Sequence, residues 1–185
     1  FCYAIMRYME SYTSEIATNM SGHRHMSKTK MLTKSSITRF LKACEAADIK
    51  VESASPYKDI KEHTDYIING QTVDLKSCKE SAREGKVILE LANVKGEKGW
   101  CNEEGLPMWI VFDFGAFFLW AKNSDLFSLA KEKCNLRNRV YKFDDCLYKG
   151  YQRKDRKDWM TMVTLQDVLN HCQHKFLPYP IILPE

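Results

Sequence analysis

The chain lacks any apolar run near the roughly 20 residues that a membrane-spanning helix needs. Its longest apolar stretches, around Met108–Phe112 and Ala116–Ala121, read as buried strands. It has no linker rich in glycine and serine and no internal repeat, so its 185 residues are expected to share one hydrophobic core. It has no Cys-x-x-Cys pair. Its seven cysteines are scattered and odd in number, which argues for reduced thiols in a cytosolic protein rather than a disulfide framework. His171-Cys172-Gln173-His174 lacks the partner ligands that a zinc site requires. Acids are missing from His23 to Arg39, where Arg24, Lys28, Lys30, Lys34 and Arg39 stand. The segment Lys149–Lys157 holds Lys149, Arg153, Lys154, Arg156 and Lys157 against Asp155 alone. Net charge is +4. Two basic stretches suit a phosphate backbone, with solvated surface as the plain alternative.

The chain opens on Phe1. Residues 1–30 are read as an N-terminal arm or a processed or vector-derived segment, with Met20, Met26 and Met31 as candidate starts. Residues 31–185 are read as one domain. Tyr3–Ile16 is expected as a helix and Ser21–Lys34 as a loose arm. Ser35 or Ser36 caps a helix to about Ala47, with Ile37, Phe40, Leu41 and Cys44 at helical spacing. Ile49–Ser53 alternates as a strand, and Pro56 breaks the chain. Thr64–Ile68 and Gln71–Ser77 flank Asn69-Gly70, the strongest short hairpin signal. Val87–Asn93, Met108–Phe114, Phe117–Ala121, Arg139–Phe143 and Met160–Val163 read as further strands. Ser124 caps a helix to about Cys134, and Thr164-x-x-Asp167 makes a capping box for another to about His171. Pro178–Pro184 is expected to be extended. The class is α/β or α+β, with a mixed central sheet flanked by helices.

The hairpin carries the chemistry. A two-residue turn sets Tyr66 opposite Val73 and Asp65 opposite Asp74, with directly opposed Cβ atoms roughly 5 Å apart. Lys76 lies two residues beyond Asp74, on the same face. Tyr66, Ile68, Val73 and Leu75 take the other face, a good core set. Opposed carboxylates repel and weaken a hairpin. A divalent cation between them removes that cost, and all-oxygen ligation suits Mg²⁺ or Mn²⁺. Such a cation activates water and polarises a phosphoryl oxygen, and Lys76 can steady the charge that builds there.

Asp65 followed by Asp74-Leu75-Lys76, across a short hairpin after a helix and a strand, resembles the PD-(D/E)XK nuclease superfamily. That superfamily includes many restriction endonucleases, archaeal Holliday-junction resolvases and phage nucleases. The resemblance covers roughly Ser35–Phe114 and implies a restriction-endonuclease-like core. It extends to small phage-type nucleases through Ile88–Leu91, Gly99-Trp100 and Trp109–Phe112. Thr64 stands where the superfamily often has proline. The resemblance implies Asp65 and Asp74 as metal ligands, the Leu75 carbonyl as a third, Lys76 as the catalytic lysine and DNA as the partner. It allows a homodimer and a phage-encoded protein acting inside a host cell.

Many members add an acid from the first helix; Glu45 is the only acid available there, with Glu52 as substitute. Glu90 could reach the metal if its strand lies beside Gln71–Ser77, since a carboxylate among apolar residues needs a partner. His63 would face Lys76 across the hairpin. Lys79 could touch nucleic-acid backbone, and Trp100 could stack on a base or pack as a core lid. Arg153, Lys154, Arg156 and Lys157 are the phosphate-tracking set. A Mg²⁺-dependent DNA endonuclease is the leading expectation. A nucleic-acid-binding module without the chemistry and a protein-interaction factor are the alternatives.

Overall fold

The computed structural model describes residues 29–77 and 84–179. Contacts divide the chain into Phe1–Lys30 and Met31–Glu185. Apart from the first turn of one helix, everything below belongs to the second unit. The helix expected at Tyr3–Ile16, the arm before Thr29, Lys79 and the end of the proline tail lie outside the described residues.

In chain order the elements are α1 (Thr29–Ala46), β1 (Glu52–Ser53), α2 (Pro56–Glu62), β2 (Tyr66–Ile68), β3 (Gln71–Lys76), β4 (Lys86–Ala92), β5 (Trp109–Asp113) and β6 (Phe117–Lys122). Then come α3 (Asn123–Lys133), β7 (Asn135–Val140), β8 (Lys149–Tyr151), β9 (Trp159–Thr164), α4 (Leu165–His171) and β10 (His174–Pro178). The class is α+β, with a mixed sheet flanked by helices. Among the described residues no helix is long and apolar enough to cross a membrane.

Helix α1 starts earlier than its capping serines suggest, so Thr29–Lys34 is helical rather than part of a loose arm. Its buried stripe is Ser36, Phe40, Ala43 and Cys44, a helical spacing one position away from the expected one. Ile37 and Leu41, expected inside, stay 39% and 40% exposed. A polar anchor sets this rotation. The Ser36 hydroxyl donates to Asp113 Oδ2 at 2.5 Å, and Arg39 ion-pairs with the same carboxylate.

Pro56, expected to break the chain, opens α2 instead. Ser55 caps it by accepting the Lys58 N–H at 3.4 Å. Proline in the first turn leaves no donor orphaned. His63 ends α2 with a left-handed φ of +51°. It therefore sits at a helix C-cap and not across a ladder from Lys76.

Strands β2 and β3 form the expected hairpin, with Tyr66 opposite Val73 and Ile68 opposite Gln71. The strand expected at Val87–Asn93 does not lie beside β3. Its neighbour is β5, which runs parallel with Asp74 opposite Ile110 and Lys76 opposite Phe112. Parallel neighbours need a crossover, and here the crossover makes β4 and the Gly99-Trp100 loop. The result is two sheets where one was expected. The six-stranded sheet has the order β1-β2-β3-β5-β6-β10, and the four-stranded sheet β4-β9-β8-β7. One face of the larger sheet packs Tyr66, Ile68, Val73, Val111, Phe118 and Trp120 against Phe40, Ala43 and Cys44 of α1. All five residues of β5 are buried, because both faces of this strand are covered. Helix α3 packs on β4 and β6, and α4 on β9. The Thr164–Asp167 capping box forms as expected.

The five described cysteines are free and buried. Burial pushes the Cys44 and Cys146 thiols up to about 11 and the Cys172 thiol up to about 12. Thiols held protonated in this way are poor nucleophiles.

Candidate metal centre and its cleft

The hairpin ladder is regular only as far as Tyr66 and Val73. Beyond it, the Asp65 N–H donates to the Val73 carbonyl at 2.9 Å, one residue short of the hairpin register. That slip frees the Leu75 N–H, which donates to the Asp65 carboxylate at 2.8 Å. The carboxylate thus replaces a backbone acceptor and is fixed against β3. It lies close enough to Asp74 to add a small upward push to the Asp74 pKa, after burial and Lys76. The acids therefore meet, although not through a straight ladder pair.

Asp74 is 4% exposed. Burial drives its pKa up to about 7, against the pull of Lys76 and with a further push from Asp65. The Lys76 ammonium lies 2.5 Å from Asp74 Oδ2. Even so, that buried oxygen has no hydrogen-bond donor aligned on it: the contact is a charge pair, off the hydrogen-bond direction. The same ammonium stands 5.0 Å from the centroid of the Trp100 ring, a cation–π distance. Lys76 is thus held between an acid and an aromatic face, and its side chain keeps 29% exposure.

Trp100 is 5% exposed, so of the two expected roles, base stacking and packing as a core lid, its burial fits packing. It stands edge-on to Phe112 with ring centroids 6.1 Å apart and forms a wall beside Lys76. Gly99 explains its placement. The Gly99 N–H donates to the Leu91 carbonyl at 3.1 Å, and the Cys101 N–H to the Glu90 carbonyl at 3.0 Å, so the loop zips onto β4. A Cβ on Gly99 would lie 2.2 Å from the Glu90 carbonyl oxygen. From the other side, the buried Asn123 side chain donates to the carbonyls of Trp100 at 2.7 Å and Pro107 at 3.0 Å. We expect Gly99→Ala to cost about 3 kcal/mol, the upper range for overpacking, because the clash is with backbone. Urea unfolding checks this, and a loss under 1 kcal/mol would mean that the loop gives way.

Between the sheets, Lys76, Ser77, Lys86, Glu90, Trp100 and Met160 border a small cleft of about 60 Å³. Glu90 reaches this cleft from the second sheet and not from a strand beside β3. Glu45 does not join the site. It is exposed and borders a separate surface hollow with Leu41, Asp48 and Ile49. Glu52 is exposed and pairs with Lys50 at 2.9 Å. Among the described residues no cluster of three or more acidic, histidine or cysteine side chains could hold a metal. The oxygen donors brought together are the carboxylates of Asp65 and Asp74.

The basic loop of residues 152–158 joins β8 to β9. Lys154, Arg156 and Lys157 are exposed. Arg153 is committed to an ion pair with the buried Asp158, so it shapes the loop rather than offering a free charge. Asp113, Ser36 and Arg39 were not foreseen as neighbours of the site. Asp113 also borders the cleft, so its ties to Ser36 and Arg39 fix α1 to the floor near Lys76. Its only sequence signal is an acid closing an apolar strand.

No protein-family model, no curated protein and no solved structure matches this chain.

Proposed function

We propose that this protein is a metal-dependent phosphodiesterase that cleaves DNA, with a PD-(D/E)XK-like site formed by Asp65, Asp74 and Lys76. One observation carries the reading: a nearly buried acid, Asp74, whose ionised form the fold disfavours, stands beside a second acid, Asp65. Mg²⁺ and Mn²⁺ are commonly held by one or two carboxylates, with water filling the other positions. Asp65 and Asp74 therefore fit such an ion without a third acid. The ion would polarise a phosphoryl oxygen and lower the pKa of a bound water.

The chain's own residues supply the rest. Asp65 is preorganised by the Leu75 N–H. A cation held by Asp74 would favour its ionised form and would compete with Lys76 for the carboxylate, leaving the ammonium able to part from it. The freed ammonium then has the Trp100 face as its remaining partner and can turn toward a phosphate in the cleft, stabilising charge as the bond breaks. Glu90, on the cleft wall, can accept a hydrogen bond from the attacking water or its shell.

Incubation with supercoiled, linear, branched and single-stranded DNA tests the proposal. Cleavage is expected with Mg²⁺ or Mn²⁺ and none in EDTA. Purified protein that cuts no form of DNA with either ion would sink the enzymatic reading.

A further inference from the structure

The outer edge of the second sheet carries aromatic and basic side chains that the proposed chemistry does not use. Strand β7 is that edge, and Arg137 and Arg139 on it are exposed. Tyr141, just beyond it, is 62% exposed, and Phe143 is 39% exposed. The Phe143 ring meets Tyr151 edge-on with centroids 5.7 Å apart, and the Arg139 guanidinium sits 4.9 Å from the Trp159 ring centroid. Val140 pairs with Tyr151, and the Gln152 N–H donates to the Val140 carbonyl at 3.2 Å. The basic loop holding Lys154, Arg156 and Lys157 therefore continues directly from this strip.

Exposed planar rings interleaved with cations suit a strand whose bases are free. Every base has a face to stack, and the phosphates track the charges. A duplex hides its base faces, so Tyr141 and Phe143 would gain little from one. Edge pairing with another polypeptide is disfavoured by the charges on β7, which blunt sheet edges. The strip belongs to the sheet edge: Val140 and Tyr151 share a face with the cleft residues Met160 and Glu90, whereas Arg139 lies on the other face with Gly150 and Trp159.

We infer that Tyr141, Phe143, Arg137 and Arg139 form a docking strip for an unpaired strand of DNA along the outer edge of the second sheet. The choice of DNA rests on the function proposed above; the stacking surface does not.

The test is fluorescence anisotropy in EDTA with a labelled oligo(dT), a labelled hairpin duplex and a labelled acidic peptide. The wild-type protein should bind oligo(dT) more tightly than the duplex. Tyr141→Ala with Phe143→Ala should weaken oligo(dT) about 10-fold or more and leave the duplex unchanged, while Tyr141→Phe should restore binding. Arg137→Gln with Arg139→Gln should flatten the salt dependence. Both pairs are at the surface, and an unchanged melting temperature verifies folding. Equal binding of duplex and oligo(dT), a double aromatic variant that binds like the wild type, or binding of the acidic peptide alone overturns the strip. Strip-dependent oligo(dT) binding in a protein that never cleaves supports the strip while the nuclease reading fails.

Discussion

Asp74→Asn should reduce metal-dependent cleavage by at least about a thousandfold, the scale seen when a transition-state charge partner is removed. Asparagine keeps the shape and loses the charge that would hold the cation. The second half of the prediction separates a functional acid from a structural one. Asp74 is 4% exposed, and its ionised form is disfavoured in the fold even with Lys76 beside it. Removing the charge should therefore not destabilise the protein at pH 8 and should raise its melting temperature in EDTA. Lys76, 29% exposed, can be solvated when its partner is neutral. Parallel measurements of initial cleavage rate and thermal unfolding decide the matter. A variant that loses activity because it unfolds would show Asp74 to be a structural acid, and one that still cuts would remove it from the site altogether.

In EDTA, stability should fall as pH rises from about 4 to about 7. The sign follows from which protonation state the fold prefers. An unfolded Asp titrates near 3.9, whereas folded Asp74 is pushed up to about 7 by burial, opposed by Lys76 and reinforced by Asp65. The fold favours the protonated form. That contribution is fully present below pH about 4 and is gone above pH about 7. The stabilisation lost across this window is on the order of a few kcal/mol. Asp167 acts in the opposite sense: burial raises its pKa, but hydrogen bonds from Lys133, Thr164 and Tyr148 outweigh it and hold the carboxyl far below its usual range. Its contribution is lost only below pH about 4, so the two windows do not overlap. Mn²⁺ added at pH 8 should recover most of the loss, because binding to the folded state is linked to stability and displaces the proton. At pH 5 the same addition should do little. Urea unfolding across pH, with and without Mn²⁺, checks this. A flat profile in EDTA, or an equal response to Mn²⁺ in Asp74→Asn, would contradict it.

The parts of the fold that were legible in the sequence are those set by short-range chemistry. Asn69-Gly70 fixes a two-residue turn, so the pairing of Tyr66 with Val73 and the core face of the hairpin follow from counting. Thr164 and Asp167 stand at the spacing that lets each cap the other. What escaped is set by contacts distant in sequence. Nothing local says that β3 takes β5 as its parallel neighbour and sends β4 to another sheet. Glu45 looked eligible because it is the one acid in its helix segment. The rotation of that helix is decided 77 residues away, where Asp113 receives Ser36 and Arg39. Trp100 lies in a polar stretch, but its burial depends on Gly99 fitting against the β4 backbone and on Asn123 gripping its carbonyl. Ser55-Pro56 was a readable helix start, since a capping serine before a first-turn proline is a starting signal as well as a break.

The two sheets are completed late in the chain. Strand β9 gives β4 its partner, and β10 closes the edge of β6. The residues from Trp159 onward, about the last seventh of the sequence, must therefore be in place before Met160 can line the cleft and Leu177 can seal the core. A fragment cut ahead of Trp159 would lack both the partner of β4 and the strand that closes β6, so neither sheet would be complete in it.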